Sequence, residues 1–172
     1  HKMYTLNRFW EKFFYLLTWL MQGSSYLVPR AYAILHREHH AYSDTEKDPH
    51  SPSWVDNPFT MMWLTKTRYS GINTGRIQVE PRFEGGVPIW PWLDKFGGSI
   101  GGRLLWIGAY TAFYYFFVTA PWQWALLPLT WTMGPVHGAI VNWCGHKYGY
   151  RNFDLDDDSR NTLPVDVVAM GE

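Results

Sequence analysis

Apolar runs alternate with polar, turn-rich stretches along the chain, and the lengths of the runs predict the elements. Residues 9–21, FWEKFFYLLTWLM, are apolar but carry Glu11 and Lys12 near their start, and QGSS interrupts the run directly afterwards. The run falls short of the about 20 residues that a membrane crossing needs. It predicts a core helix or one lying at an interface. A second helical stretch is expected from about Tyr26 to Tyr42, with Pro29 near its start, where proline is tolerated. Residues 43–60, SDTEKDPHSPSWVDNPFT, are polar and turn-rich, and MMWLTKTRY at 61–69 predicts a short amphipathic helix. The Gly-, Pro- and Trp-rich PRFEGGVPIWPWLDKFGG at 81–98 reads as a loop near an interface.

The longest apolar segments come next. LLWIGAYTAFYYFFVTA at 104–120 has no charge, Pro121 and Trp122 mark a tight turn, and WALLPLTWTMGPVHGAIVNWC at 124–144 also lacks acidic and basic groups. Two adjacent uncharged stretches of spanning length predict a transmembrane hairpin over 104–144, in preference to two buried helices of a soluble core. Lys95 and Arg103 precede the pair, and Lys147 and Arg151 follow it. Both flanks of a hairpin lie on one side, and the positive-inside rule makes that side the cytoplasm. The expectation is therefore an all-α, multi-pass integral membrane protein organised as one domain over residues 1–172. In it, 1–103 form interfacial and cytoplasmic helices and loops, 104–144 the hairpin, and 145–172 a cytoplasmic segment. The chain opens on His1, shows no signal peptide, and reads as an internal piece of a longer protein.

Composition reinforces the interfacial reading. Aromatic residues make up 19% of the chain, with 11 Trp and 11 Tyr, types that favour places where one end of the side chain is apolar and the other wet. Lys and Arg balance Asp and Glu at 15 each, so bulk charge marks no nucleic-acid binder. A single cysteine, Cys144, excludes an internal disulfide and any multi-cysteine zinc motif. Asp154, Asp156 and Asp158 imitate the opening of a calcium loop. However, Ser159 stands where such a loop needs Gly, and Val165 where it needs Glu.

Chemistry enters with HREHH at 36–40, which holds three of the 7 histidines. On a helix each residue advances about 100°, so His39 and His40 fall within about 60° on either side of His36, and all three project from one face. Imidazole suits Zn, Cu, Fe and Ni, so the spacing points to a metal without choosing one. Arg37 occupies the position that needs Glu in H-E-x-x-H, which excludes that zinc motif. The alternative is a surface patch, or rings satisfied by carbonyls and by carboxylates such as Glu38. Asn142 and His146, in NWCGH, are four apart and share a face if the helix continues through Gly145. Polar groups leaving a membrane helix are costly unless they serve a site. His50, in DPHSP, reads as a turn residue. His137 lies about 140° away from the Asn142 face and is left out. His1 is ambiguous from composition.

HREHHAYSDTEKDPHSP resembles the second histidine box, with its D-P-H tail, of the membrane acyl-CoA (fatty acid) desaturases. NWCGHKYGYRNF is similar to the stretch that leaves their last membrane helix, and DSRNTLPVD to the segment leading into their third box. His1, in HKMYTL, resembles the closing His of the first box. The resemblance covers the whole chain in order and is most specific at the second box. It implies hydrophobic hairpins bearing a cytoplasmic helical cap that holds two non-haem irons. His1, His36, His39, His40 and His146 would be ligands, with Asn142 acting through a water. The first His of box one and all three of box three are absent, so this stretch is expected to be inactive alone.

The implied reaction is O2-dependent formation of a C=C bond in a fatty acyl chain, expected to be carried on CoA. Electrons would come from a separate cytochrome b5-, ferredoxin- or rubredoxin-like donor, since no flavin, haem or Fe–S motif occurs in the chain. Membrane lipid would surround the spans, in the inner membrane of a bacterium or the endoplasmic reticulum of a eukaryote. Lys66, Arg68, Lys147 and Arg151 either attract the CoA phosphates or are ordinary positive-inside residues. Two other functions compete. One is a related di-iron hydroxylase; the other is a haem-carrying membrane subunit, which would ask for one histidine on each of two facing helices.

Overall fold

A computed structural model describes residues 5–154, 160–162 and 167. The described residues form seven α-helices: α1 (Arg8–Gln22), α2 (Pro29–Tyr42), α3 (Pro58–Asn73), α4 (Pro81–Glu84), α5 (Pro91–Gly97), α6 (Ile100–Phe117) and α7 (Leu127–Lys147). A 3-10 helix, Pro121–Leu126, joins the last two. The protein is all-α, and an isolated antiparallel bridge between Tyr150 and Asn161 is its one piece of β pairing among the described residues. These residues group into two compact units. One holds the chain up to Tyr32 together with Glu84–Pro135; the other holds Ala33–Phe83 together with the described residues from Val136 onward.

The helix starts obey local rules. Asn7 accepts a hydrogen bond from the Trp10 amide at the start of α1, and Asn57 one from Thr60 at the start of α3. Ser99 does the same for Gly102 at the start of α6. Each satisfies a backbone donor that has no partner within the helix.

In the first unit Tyr15 and Trp19 of α1 are buried against Leu93 of α5, with Trp90, Phe96 and Trp106 packed around them. The Tyr15 hydroxyl donates to Asp94 at 2.5 Å and accepts the Arg30 amide at 2.9 Å. Burial, reinforced by the Asp94 carboxylate, raises the pKa of this phenol, so the donor keeps its proton. Pro135 lies inside α7 and has no N–H to give the carbonyl of Trp131. The Tyr26 hydroxyl donates to that carbonyl instead, at 2.8 Å. One turn away, a Cβ on Gly134 would stand 2.4 Å from the Cα of Ser25 and 2.6 Å from its nitrogen. Gly134→Ala is therefore expected to cost about 1–3 kcal/mol through forced backbone movement. Thermal denaturation of the full-length protein checks it: a melting point equal to that of the parent would contradict this packing.

Three expectations change. Residues 81–98 contain the helices α4 and α5 in place of a loop, because Pro81 and Pro91 occupy first-turn positions where proline starts a helix. The helix expected at 61–69 runs from Pro58 to Asn73, and its apolar residues are spread around it without a single face. The apolar stretches 104–120 and 124–144 do fold as two helices about a turn at Pro121. However, α6 stops at Phe117 and α7 starts at Leu127. No helix among the described residues is long and apolar enough to cross a membrane. α6 includes Arg103, and α7 carries Thr130, Thr132, His137, Asn142 and His146.

Candidate metal centre

The second unit gathers most of the histidines. α2 runs through HREHH, so His36, His39 and His40 do share a face. α7 continues through Gly145 to Lys147, which aligns Asn142 and His146. The ring centroids of His39 and His146, residues from two helices, lie 5.4 Å apart; those of His36 and His40 lie 4.4 Å apart. The Asn142 amide donates to the Gly138 carbonyl at 2.8 Å. His1 lies outside the described residues, as do Asp156, Asp158, Ser159 and Val165. His137 is exposed on α7.

Carboxylates set the orientation of the two buried rings. Nδ1 of His39 donates to both oxygens of Asp48 at 2.9 Å, since a carboxylate has no proton to give. Nδ1 of His146 faces both oxygens of Asp44 at 3.3 Å. In each ring this leaves Nε2 as the atom available to a ligand. Nε2 of His146 is buried without a hydrogen-bond partner. A buried polar atom without a partner costs about 1–3 kcal/mol unless something else binds it.

His36 and His40 are exposed, and their Nε2 atoms approach to 3.0 Å. Two such nitrogens either share a proton or hold one ion, because metal–nitrogen bonds of about 2.1 Å at right angles place donors about 3 Å apart. Although the residue is exposed, the protein packed beside the ring removes part of its water, and with the neighbouring rings of His40 and His39 this lowers the pKa of His36 and favours the neutral, ligating form. The residues present therefore fit a metal: imidazoles from two helices converge, His146 keeps a buried nitrogen without a partner, and carboxylates stand behind the buried pair. Among the described residues, His39, Asp48 and His50 also lie close enough to hold an ion. Asp48, however, already accepts from His39 and from the amides of His50 and Asp44. Burial alone would raise the Asp48 carboxyl, but these donors, His39 above all, hold it below the usual carboxylate range.

His50 is the residue that the sequence reading undervalued. It does sit in a turn, yet its ring is buried 4.1 Å, centroid to centroid, from that of His39. Burial and the adjacent His39 push its pKa down to about 3, and its Nδ1 has no partner. The D-P-H triplet was its only signal, since no helical periodicity reaches this loop.

Between His36 and His39, Glu38 is also buried, and Arg68 of α3 donates to it through Nε at 2.9 Å and Nη2 at 2.5 Å. Arg68 is thus committed within the fold. Lys66 lies over the Trp63 ring and Lys147 over the Trp143 ring.

Residues 1–171 match the family model for fatty acid desaturases, and the chain belongs to that family. It is 30% identical to the Delta-9 desaturase-like 3 protein of Arabidopsis thaliana, over 100% of this chain and 54% of the relative. It is 28% identical to the sn-1 stearoyl-lipid 9-desaturase of Anabaena variabilis, over 100% of this chain and 61% of the relative. A third relative, the sn-2 palmitoyl-lipid 9-desaturase of a Nostoc strain, is 28% identical over 80% of this chain and 46% of its own length. The chain thus spans little more than half the length of the first two relatives. No solved structure matches it.

Proposed function

We propose that the full-length protein containing this chain is an O2-dependent fatty acyl desaturase that forms a double bond at C9. The observation that carries this reading is the buried Nε2 of His146, unpartnered beside the imidazole of His39, in a chain of this family. His36, His39, His40 and His146 would hold non-haem iron, with His1 as a further ligand and Asn142 holding a water. Two irons are proposed, on the resemblance to the histidine-box desaturases. Iron with O2 would supply an oxidant strong enough to take two hydrogens from neighbouring methylenes; with two electrons from a separate donor and two protons from solvent, O2 would leave as two waters. Asp48 and Asp44 hold the Nδ1 atoms of His39 and His146, which leaves each Nε2 to a ligand, and burial keeps water from the pair.

The relatives' names support a lipid-linked acyl chain over the CoA ester expected from the sequence. The engagement of Arg68 by Glu38 removes one of the four cations for which CoA phosphate binding is one of two alternatives, and points the same way.

A membrane seat is part of the proposal. In the first unit Phe9, Phe13 and Met21 of α1, Leu104 and Phe116 of α6, and Leu129 of α7 are all exposed. An apolar surface of this extent suits lipid. The basic flanks Lys95, Arg103, Lys147 and Arg151 support a cytoplasmic placement of the ends of α6 and α7.

Expression of the full-length protein in a host unable to desaturate, with fatty acid profiling, tests the function. The expected result is a new monoene whose double bond maps to C9, appearing in labelled lipid before it appears in labelled acyl-CoA. The reverse order would assign the CoA carrier. Hydroxylated fatty acids, or an unchanged profile, would overturn the desaturase reading.

A further inference from the structure

The loop after α2 carries two carboxylates, Asp44 and Asp48, the second being the Asp of the D-P-H triplet, and neither is among the ligands that the resemblance implies. We infer that Asp44 and Asp48 are positioning residues of the metal centre: each grips the Nδ1 of one ligand imidazole, on α7 and α2 respectively, and so aims its Nε2 at the ion. This rests on the iron-binding reading given above.

Both carboxylates are buried, with the Asp48 side chain 0% and the Asp44 side chain 5% exposed. Their bonds join into one network. Asp48 receives the His39 ring and the backbone amides of His50 and Asp44. Asp44 faces the His146 ring and receives the Ser51 hydroxyl at 2.8 Å. The carbonyl of Asp44 receives the Trp54 indole N–H at 2.7 Å, and its backbone sits at φ 58, in the left-handed region that Asp tolerates. A five-residue stretch of loop thereby links a ring on one helix to a ring on another. A carboxylate on the far nitrogen of a ligating histidine fixes its tautomer and ring orientation and raises its basicity. The unpartnered Nε2 of His146 is the mark of such an arrangement, because the ring is anchored on one side only.

The full-length protein loaded with iron(II) alone tests the inference by chelator competition, read together with its Mössbauer spectrum and far-UV circular dichroism. Asp48→Asn and Asp44→Asn are each expected to weaken iron binding about 10–100-fold. The quadrupole splitting should change while the helical signal does not. Asp44→Glu, which restores the charge, should recover most of the affinity. Glu46→Gln, on the same loop but exposed, should bind iron as the parent does. Should Asp48→Asn fail to fold, the Asp44 pair decides, since its contact is the longer one. Parental affinity and spectrum in both Asn variants would overturn the inference and leave the proposed function standing. A parent protein that takes up no iron would sink both.

Discussion

Replacing His39 with alanine in the full-length protein is expected to abolish the unsaturated product, to below detection in a fatty acid profile. His39 is buried, and its ring centroid lies 4.1 Å from that of His50 and 5.4 Å from that of His146. Removing it takes a nitrogen donor from the cluster. It also leaves the Asp48 carboxylate buried without its strongest donor, so lost folding and lost chemistry must be separated. His39→Asn does so: its amide still offers Asp48 a donor but puts no ring nitrogen where Nε2 was. It is expected to be as inactive as the alanine variant while melting closer to the parent. His146→Ala should be equally inactive, because its Nε2 is the orphaned buried atom of the site. His137→Ala, exposed on the same helix, should leave the product unchanged. Monoene formation by either His39 variant would remove the ring from the site, and loss of product in His137→Ala would show that the readout follows helix integrity.

Much of this was legible because helical periodicity is a local property. HREHH places three rings on one face of any helix that contains it, and the helix expected from about Tyr26 starts three residues later, at Pro29. The face shared by Asn142 and His146 needed only that α7 continue through Gly145, which it does. Proline punctuates a chain in two ways, ending one element or opening the next, and Pro58, Pro81 and Pro91 all start helices. The expected helices overran at the apolar stretches, since an uncharged run says nothing about which residues are helical. Thr119, Ala120 and Trp124 belong to the connection between α6 and α7, which shortens both. The carboxylates behind the histidine cluster lie beyond sequence periodicity altogether. Asp48 is nine positions from His39, and Asp44 is 102 from His146. Those pairs exist only once the loop has folded, and the turn chemistry of DPH does not announce a buried imidazole.

The second large effect concerns Glu38, the acidic residue inside the histidine motif. Its carboxylate is 3% exposed and accepts two bonds from Arg68. Both ions face solvent unequally, because Arg68 remains 37% exposed. Breaking a buried pair by removing one partner costs about 3–5 kcal/mol, and screening at the Arg68 end argues for the lower figure, about 3 kcal/mol. Arg68→Met is therefore expected to lower the melting temperature markedly and, with α2 less firmly held by α3, to reduce bound iron. Arg68→Lys keeps the charge but cannot reproduce the two-pronged contact, and should fall between Arg68→Met and the parent. Glu38→Gln with Arg68→Met removes both charges and should recover part of the loss, since the uncompensated ion is then gone. The same variants decide the role first considered for Arg68. A phosphate-binding arginine, once replaced, would raise KM for a CoA ester and leave the melting temperature alone. A fold-holding arginine lowers the melting temperature with either acyl carrier, and the buried pair with Glu38 predicts the second pattern.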